Sequence, residues 1–152
     1  MMFEAQTEWI APDNFPNLSG YKFISIDLET RDPDLKSKGS GSVIGNGEII
    51  GVAVAVDGWC KYYPFGHEGG GNLDKKKILS WLKDICATDS TKIFHNAMYD
   101  VCWLRSYGIK VNGHIMDTMV MASLVDENRM RYTLNALSWE YLGERKSEAT
   151  LF

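Results

Sequence analysis

Cysteine is scarce and poorly spaced for chemistry. The three thiols, Cys60, Cys86 and Cys102, form no C-x-x-C pair, which excludes a zinc knuckle and gives no disulfide framework. Reduced thiols and a cytoplasmic setting are expected. No run approaches the ~18 consecutive apolar residues of a membrane helix. The start, Met1-Met2-Phe3-Glu4-Ala5, lacks the basic-then-apolar layout of a signal peptide. Positive charge is not in excess. Sixteen Lys and Arg stand against 20 Asp and Glu, a net charge of −4, which argues against coating nucleic acid through bulk charge. A nuclease is not excluded, because an acidic metal site meets a phosphodiester through its bound cations. The glycines around Gly69-Gly70-Gly71 lack the G-x-x-x-x-G-K-[ST] spacing of a nucleotide P-loop.

What the chain does have is an ordinary globular composition, 45% hydrophobic and 24% charged over 152 residues. That suits one domain with one core. Its organising stretch is Lys22-Phe23-Ile24-Ser25-Ile26-Asp27-Leu28-Glu29-Thr30. The β-branched apolar run predicts a buried strand. Side chains alternate along a strand, so Asp27 and Glu29 share a face at its end. Two like charges a few ångströms apart repel unless a cation lies between them. Hard divalent ions such as Mg²⁺ or Mn²⁺ prefer such oxygen ligands. A solvated strand end is the plainer alternative for the triplet alone.

Residues 1–20, broken by Pro12, Pro16 and Gly20, read as an N-terminal arm before a domain over 21–152. The first strand is expected over about 21–28. A mobile loop over 31–47 follows, rich in glycine and carrying Lys36 and Lys38, which are placed to touch phosphate or simply solvent. Strands over 49–56 and 59–64 flank Asp57-Gly58, a hairpin turn pair. His67 and Glu68 suggest a metal ligand pair, though a loop histidine is more often structural. Asn72 is expected to cap a helix over 73–86, with Ile78, Leu79, Leu82 and Ile85 as its apolar stripe. Lys75, Lys76 and Lys77 read as its solvated face. A strand over 91–95, a helix over 97–107 ended by Gly108 and a short strand over 109–111 come next. Asp117 caps a helix over 118–125, and a last helix covers 133–142, closed by Gly143. The tail 144–152 starts a further element. This order predicts an α/β fold: a mixed sheet with the first strand central and helices on both faces.

The second acidic site is His95-Asn96-Ala97-Met98-Tyr99-Asp100. Asn96 and Asp100, four apart, are expected on one helical face near its N-terminus, where a carboxylate is favoured. An N-cap with a first-turn aspartate would satisfy helix physics equally well.

D-x-E on a central strand, followed some seventy residues later by H-N-x-x-Y-D, resembles the DEDD family of 3′-5′ exonucleases. Ile115-Met116-Asp117-Thr118-Met119 is similar to that family's DTM segment, and Leu134-Asn135-Ala136-Leu137 with Tyr141-Leu142-Gly143 to its YLG helix. The likeness spans about 21–146. It is nearest to the proofreading domains of family A, polymerase I type, DNA polymerases, phage ones included.

The resemblance implies a ribonuclease H-like fold and two divalent metal ions, Mg²⁺ or Mn²⁺, about 4 Å apart. Asp27 would bridge both, Glu29 would complete one shell and place the attacking water, and Asp100 would support the other. It implies release of 5′-mononucleotides from a single-stranded 3′ end of DNA, with RNA as the alternative. Backbone at Leu28 and Thr30, the polar Asn96 and the apolar Met116 would hold the terminal nucleotide. Tyr99, Trp103 and Trp139 are candidate base stackers, with core packing the commoner role. The implied partner is a polymerase domain, in cis or as a separate chain, in a host cytoplasm if phage-encoded. The family's third motif, Y-x-x-x-D or H-x-x-x-x-D, has no match after residue 117: Asp126 lacks the tyrosine, and Tyr141 is followed four later by Arg145. That motif is expected beyond Phe152, with weak or absent activity for this chain alone. The pattern also admits a ribonuclease D-like RNA exonuclease, and a catalytically silent module for single-strand binding or polymerase docking.

Overall fold

The computed structural model describes residues 10–144. Residues 1–9 of the expected arm and 145–152 of the tail lie outside the described residues.

Five strands build one sheet: β1 (Phe23–Arg31), β2 (Glu48–Val56), β3 (Trp59–Pro64), β4 (Thr91–Phe94) and β5 (Ile115–Asp117), in the order β3-β2-β1-β4-β5. β1 is therefore central, antiparallel to β2 and parallel to β4. It runs three residues past its expected end because Thr30 and Arg31 stay paired with Ile49 and Glu48 across a bulge after Glu29. Arg31 is also ion-paired to Glu48 at 2.9 Å. Asp57 and Gly58 make the turn between β2 and β3, with Gly58 at φ 74°, which a side chain would resist. The short strand expected over 109–111 is absent. Ile109 packs in the core instead, and β5 forms six residues later.

Six helices complete the described fold: α1 (Leu35–Lys38), α2 (Gly41–Ile44), α3 (Lys75–Ala87), α4 (Ala97–Ser106), α5 (Thr118–Val125) and α6 (Leu134–Leu142). Ile24, Ile26 and Leu28 of β1 and Val52 and Val54 of β2 turn to one face of the sheet and are buried. α3 covers that face with Ile78, Trp81, Leu82 and Ile85, spaced one helical turn apart. Burying each such side chain is worth about 1.5–3 kcal/mol. α6 lies on the other side, where Leu134 and Ile10 flank an open groove.

Several local expectations change. Asp74, not Asn72, caps α3, accepting from Lys76 and Lys77 N–H. Lys75 is not simply solvated: it pairs with Glu48 at 3.3 Å and lies over the rings of Phe65 and Tyr107. The 31–47 segment contains α1 and α2 and is tied down by Asp32, whose carboxylate accepts Gly41 N–H and the Tyr99 hydroxyl. Residues 14–18 dock onto the body. Phe15 stacks on Tyr63, Trp81 Nε1 donates to Pro16, and Leu18 is buried.

Candidate active site

β1 presents Ser25, Asp27 and Glu29 on the face opposite the core, all half-buried. Their neighbours on β2 are small: Asp27 opposes Ala53, and Glu29 opposes Gly51. Small residues beside a carboxylate pair leave a trough. The groove here has a volume of about 620 Å³, and its walls include Ser25, Asp27, Ala55, Tyr62, Ile93 and His95.

Asp100 reaches this corner from α4. The last β1–β4 pair is Ser25 with Ile93. Beyond it β4 keeps only its β5 partner, through Phe94, before the chain turns into α4, and β1 loses its neighbour on that side. Asp100 takes over there, its Oδ1 accepting the Leu28 N–H at 3.0 Å. Leu28 lies between Asp27 and Glu29, so the three acidic residues converge on one turn of backbone. Asp100 is 4% exposed. Burial pushes its pKa up to about 7; the Leu28 N–H opposes this, and the charges of Asp27 and Asp117 add to it.

Asp117 sets the angle of α4. It caps α5, accepting from Met119 and Val120 N–H, as expected from the sequence. It also accepts Asn96 N–H at 3.0 Å and Ala97 N–H at 2.7 Å, so one carboxylate closes two helix N-termini. Burial works to raise its pKa, but these four N–H groups prevail and hold it below the usual carboxylate range. Asn96 accordingly makes no side-chain cap. It adopts φ 69°, outside the helix, so it does not share a helical face with Asp100.

The remaining candidates separate. Leu28 points its side chain into the core and commits its N–H to Asp100. Thr30 hydrogen bonds the Tyr99 hydroxyl at 2.7 Å. Asn96 is exposed at the start of α4. Met116 is half-buried on β5, in register with Ile93 of the groove wall. Trp103 is a core residue and Trp139 is exposed on α6. Lys38 pairs with Asp34, and Glu68 reaches Arg31 at 3.5 Å. His67 faces the Tyr62 hydroxyl, and among the described residues it joins no cluster of three His, Cys, Asp or Glu side chains. Two groove residues were not singled out by sequence: Tyr62, because β3 carries chemistry only through its register with β2, and the His95 ring. Thr118 donates to the Phe94 carbonyl, so His95 donates from Nδ1 to Thr118 Oγ1 at 2.8 Å. Its Nε2 is buried with no partner among the described residues.

The donors at this corner are hard carboxylate oxygens, the chemistry that suits Mg²⁺ or Mn²⁺. An acid buried beside another acid, as Asp100 is beside Asp27, is a place where a cation relieves repulsion. Among the described residues no three His, Cys, Asp or Glu side chains stand close enough to form a ready-made cation cage. No helix among them is long and apolar enough to cross a membrane.

Comparison with known proteins places the chain. A family model described as a 3′-5′ exonuclease, the DNA polymerase A type, matches residues 5–151. A DNA-directed DNA polymerase of Pseudomonas phage M6 is 33% identical over 95% of this chain and 23% of its own length. A DNA polymerase of Salmonella phage PMBT28 is 30% identical over 87% of this chain and 19% of its own. The chain thus spans about a fifth of the length of these relatives. Among solved structures, Brucella melitensis NrnC with bound Mg²⁺ superposes with a TM-score of 0.61 at 18% identity, covering 91% of this chain and 61% of that one. The polymerase Pol1 of M. smegmatis, solved with DNA primer-template and dNTP, gives 0.58 at 19%, covering 84% and 20%. Both likenesses support the ribonuclease H-like fold expected from the motifs. With its first motif on the central strand and its second where β4 gives way to α4, the chain belongs to the 3′-5′ exonuclease family of DNA polymerase A type.

Proposed function

We propose that this chain removes nucleotides from the single-stranded 3′ end of DNA, releasing 5′-mononucleotides, and that it proofreads for a polymerase module carried in cis or on a separate chain. The observation that carries the reading is the Asp100 carboxylate seated on the Leu28 N–H, between Asp27 and Glu29. Asp27, Glu29 and Asp100 would hold the divalent ions, Mg²⁺ or Mn²⁺, two in the family's scheme. Bound there, such ions supply Lewis-acid stabilisation of the phosphodiester and a water activated for attack. A cage would close by side-chain rotation, since the backbone already brings the three residues to one corner. The groove beside Asp27 is wide enough for a nucleotide, with Ile93 on its β4 side and Met116 as the cross-strand neighbour of Ile93; Thr30 and Asn96 are proposed as further contacts to the terminal nucleotide. DNA is preferred over RNA as substrate because the sequence relatives are DNA polymerases.

The other acid that Asp100 senses, Asp117, spends its oxygens on four backbone N–H groups and is not a ligand. The family scheme uses four carboxylates, and the described residues bring three to the corner. Activity of this chain by itself is therefore expected to be weak, because removing one member of a catalytic unit costs orders of magnitude. The test pairs Mn²⁺ titration with hydrolysis of matched DNA and RNA single strands, labelled at the 5′ end. Mn²⁺ binding lost in Asp27→Ala supports the reading, and a wild-type chain that binds no Mn²⁺ overturns it. Strong hydrolysis by the wild-type chain would overturn only the expectation of weakness.

A further inference from the structure

Residues 65–72 are fastened more heavily than a surface loop requires. The N–H groups of Phe65 and Gly66 both donate to the Ile50 carbonyl at 2.9 Å. Arg31 donates to the Gly66 carbonyl at 3.1 Å while paired with Glu48. Asn72 grips His67 twice, accepting from its N–H at 2.8 Å and donating to its carbonyl at 2.7 Å. Leu73 N–H closes the loop on the Pro64 carbonyl. These bonds hold one ring in place: His67 Nε2, hydrogen bonded to the Tyr62 hydroxyl, with the two rings edge-on at 5.9 Å.

Tyr62 lines the groove from β3 together with Cys60 and Lys61, and it stands in the same cross-strand row as Ala53 and Asp27. Its ring lies across β2 over Gly51, where a Cβ would stand 2.1 Å from the hydroxyl oxygen. Gly51 is the direct cross-strand neighbour of Glu29. Opposed Cβ positions are about 4.5–5.5 Å apart, so the hydroxyl lies within roughly 8 Å of the Glu29 Cβ, on the same face. Burial first, then Glu29 and Asp27, raise the phenol's pKa, so it stays protonated and serves as a donor.

We infer that Tyr62, held by His67, is a positioning residue for the exonuclease reaction, its hydroxyl donating to a non-bridging oxygen of the phosphate lodged against Asp27 and Glu29. The inference rests on the reading of those carboxylates as the reacting centre. A phosphodiester oxygen only accepts, and so does a carboxylate oxygen, so a neutral donor on the far wall supplies what such a pair lacks. With a proton on His67 Nε2, the imidazole donates to the phenol oxygen and leaves the phenol's own proton for the phosphate. No bond of either side chain forms or breaks. Gly51 is needed because any side chain there would displace the hydroxyl.

The experiment uses the whole chain and thymidine 5′-monophosphate, titrated by calorimetry in Mn²⁺. Tyr62→Phe keeps the ring over Gly51 and removes the donor. It should weaken nucleotide binding about tenfold, the order of one charge-assisted hydrogen bond, with Mn²⁺ affinity within twofold of wild type. His67→Ala should follow it, and His67→Gln, which keeps a donor, should recover part of the loss. Thermal melting of each variant checks the fold. Nucleotide binding abolished by Asp27→Ala but unchanged in Tyr62→Phe overturns this inference alone. A wild-type chain that binds no nucleotide in Mn²⁺ overturns the reacting-centre reading and this inference together.

Discussion

Two charges are buried at opposite ends of β4, and the chain treats them in opposite ways. Lys92 is fully buried. Its ammonium donates to the Thr88 carbonyl, the Thr88 hydroxyl at 3.0 Å, the Ser90 carbonyl at 2.9 Å and the Asn112 carbonyl at 3.0 Å. These oxygens come from the end of α3, the start of β4 and the approach to β5, so one cation ties three segments together. Burial lowers its pKa, but its proton donors are all used. Asp100, at the other end, is nearly as buried but poorly compensated. It accepts the Leu28 N–H while facing the charges of Asp27 and Asp117. A buried charge whose partners are complete is a fastener. One left beside like charges is a place prepared for something else.

The largest expected effect tests the fastener. Lys92→Ala leaves several carbonyls buried without donors and should destabilise the fold by about 3–5 kcal/mol, lowering the melting temperature by on the order of 10 °C. Folded protein should keep its wild-type Mn²⁺ affinity. A loss of metal binding without loss of stability would break the distinction between the two ends.

The next tests the uncompensated charge. The Asp100 pKa is raised from 3.8 unfolded to about 7 folded. Its contribution to stability is therefore complete below about pH 4 and lost as pH rises through 7. In chelator, stability should fall across that window, by on the order of 2–4 kcal/mol. Urea unfolding at stepped pH measures it. Asp100→Asn, which still accepts from Leu28, should flatten the profile and weaken Mn²⁺ binding at least tenfold. Saturating Mn²⁺ should flatten the wild-type profile from the other direction.

A smaller effect concerns the carboxylate that aims α4. Asp117→Ala removes caps from two helices and should cost about 2 kcal/mol by denaturant unfolding. Because α4 carries Asp100, Mn²⁺ affinity should fall with it. An Asp117→Ala chain with unchanged affinity would show that Asp100 is placed by core packing alone. The smallest is Asp74→Ala at the start of α3, about 1 kcal/mol, with no change in metal binding because α3 lies across the core from the site.

Local pattern made much of this legible. Alternation along Phe23–Glu29 placed Asp27 and Glu29 on one face and made β1 a buried central strand. Asp57-Gly58 marked the hairpin, and the apolar spacing of Ile78, Leu82 and Ile85 marked α3. The motif order, with Asp117 capping the helix that follows it, carried the family. Each rests on neighbours within a few residues, where spacing alone dictates geometry.

The errors share a different cause. Asn72 looked like a cap, but the loop needed it to hold His67, and Asp74 was two residues closer to the helix. Asn96 looked like part of a helical face, but Asp117, twenty-one residues away, supplied the cap and left Asn96 in a left-handed turn. Lys75 looked solvated until Glu48 came beside it. Lys92 reads as the polar member of a short strand, and nothing nearby announces that three segments bring it their carbonyls.

What the amino-acid sequence determined by itself was the first four strands and the four longer helices, the shared face of Asp27 and Glu29, and the family. Tertiary structure alone decided which backbone donor Asp100 meets, that Tyr62 leans over Gly51 toward Glu29, and which buried charge is satisfied. The physical reason is that periodicity sets where a side chain points, whereas compensation of a charge depends on groups that meet only when distant strands pair.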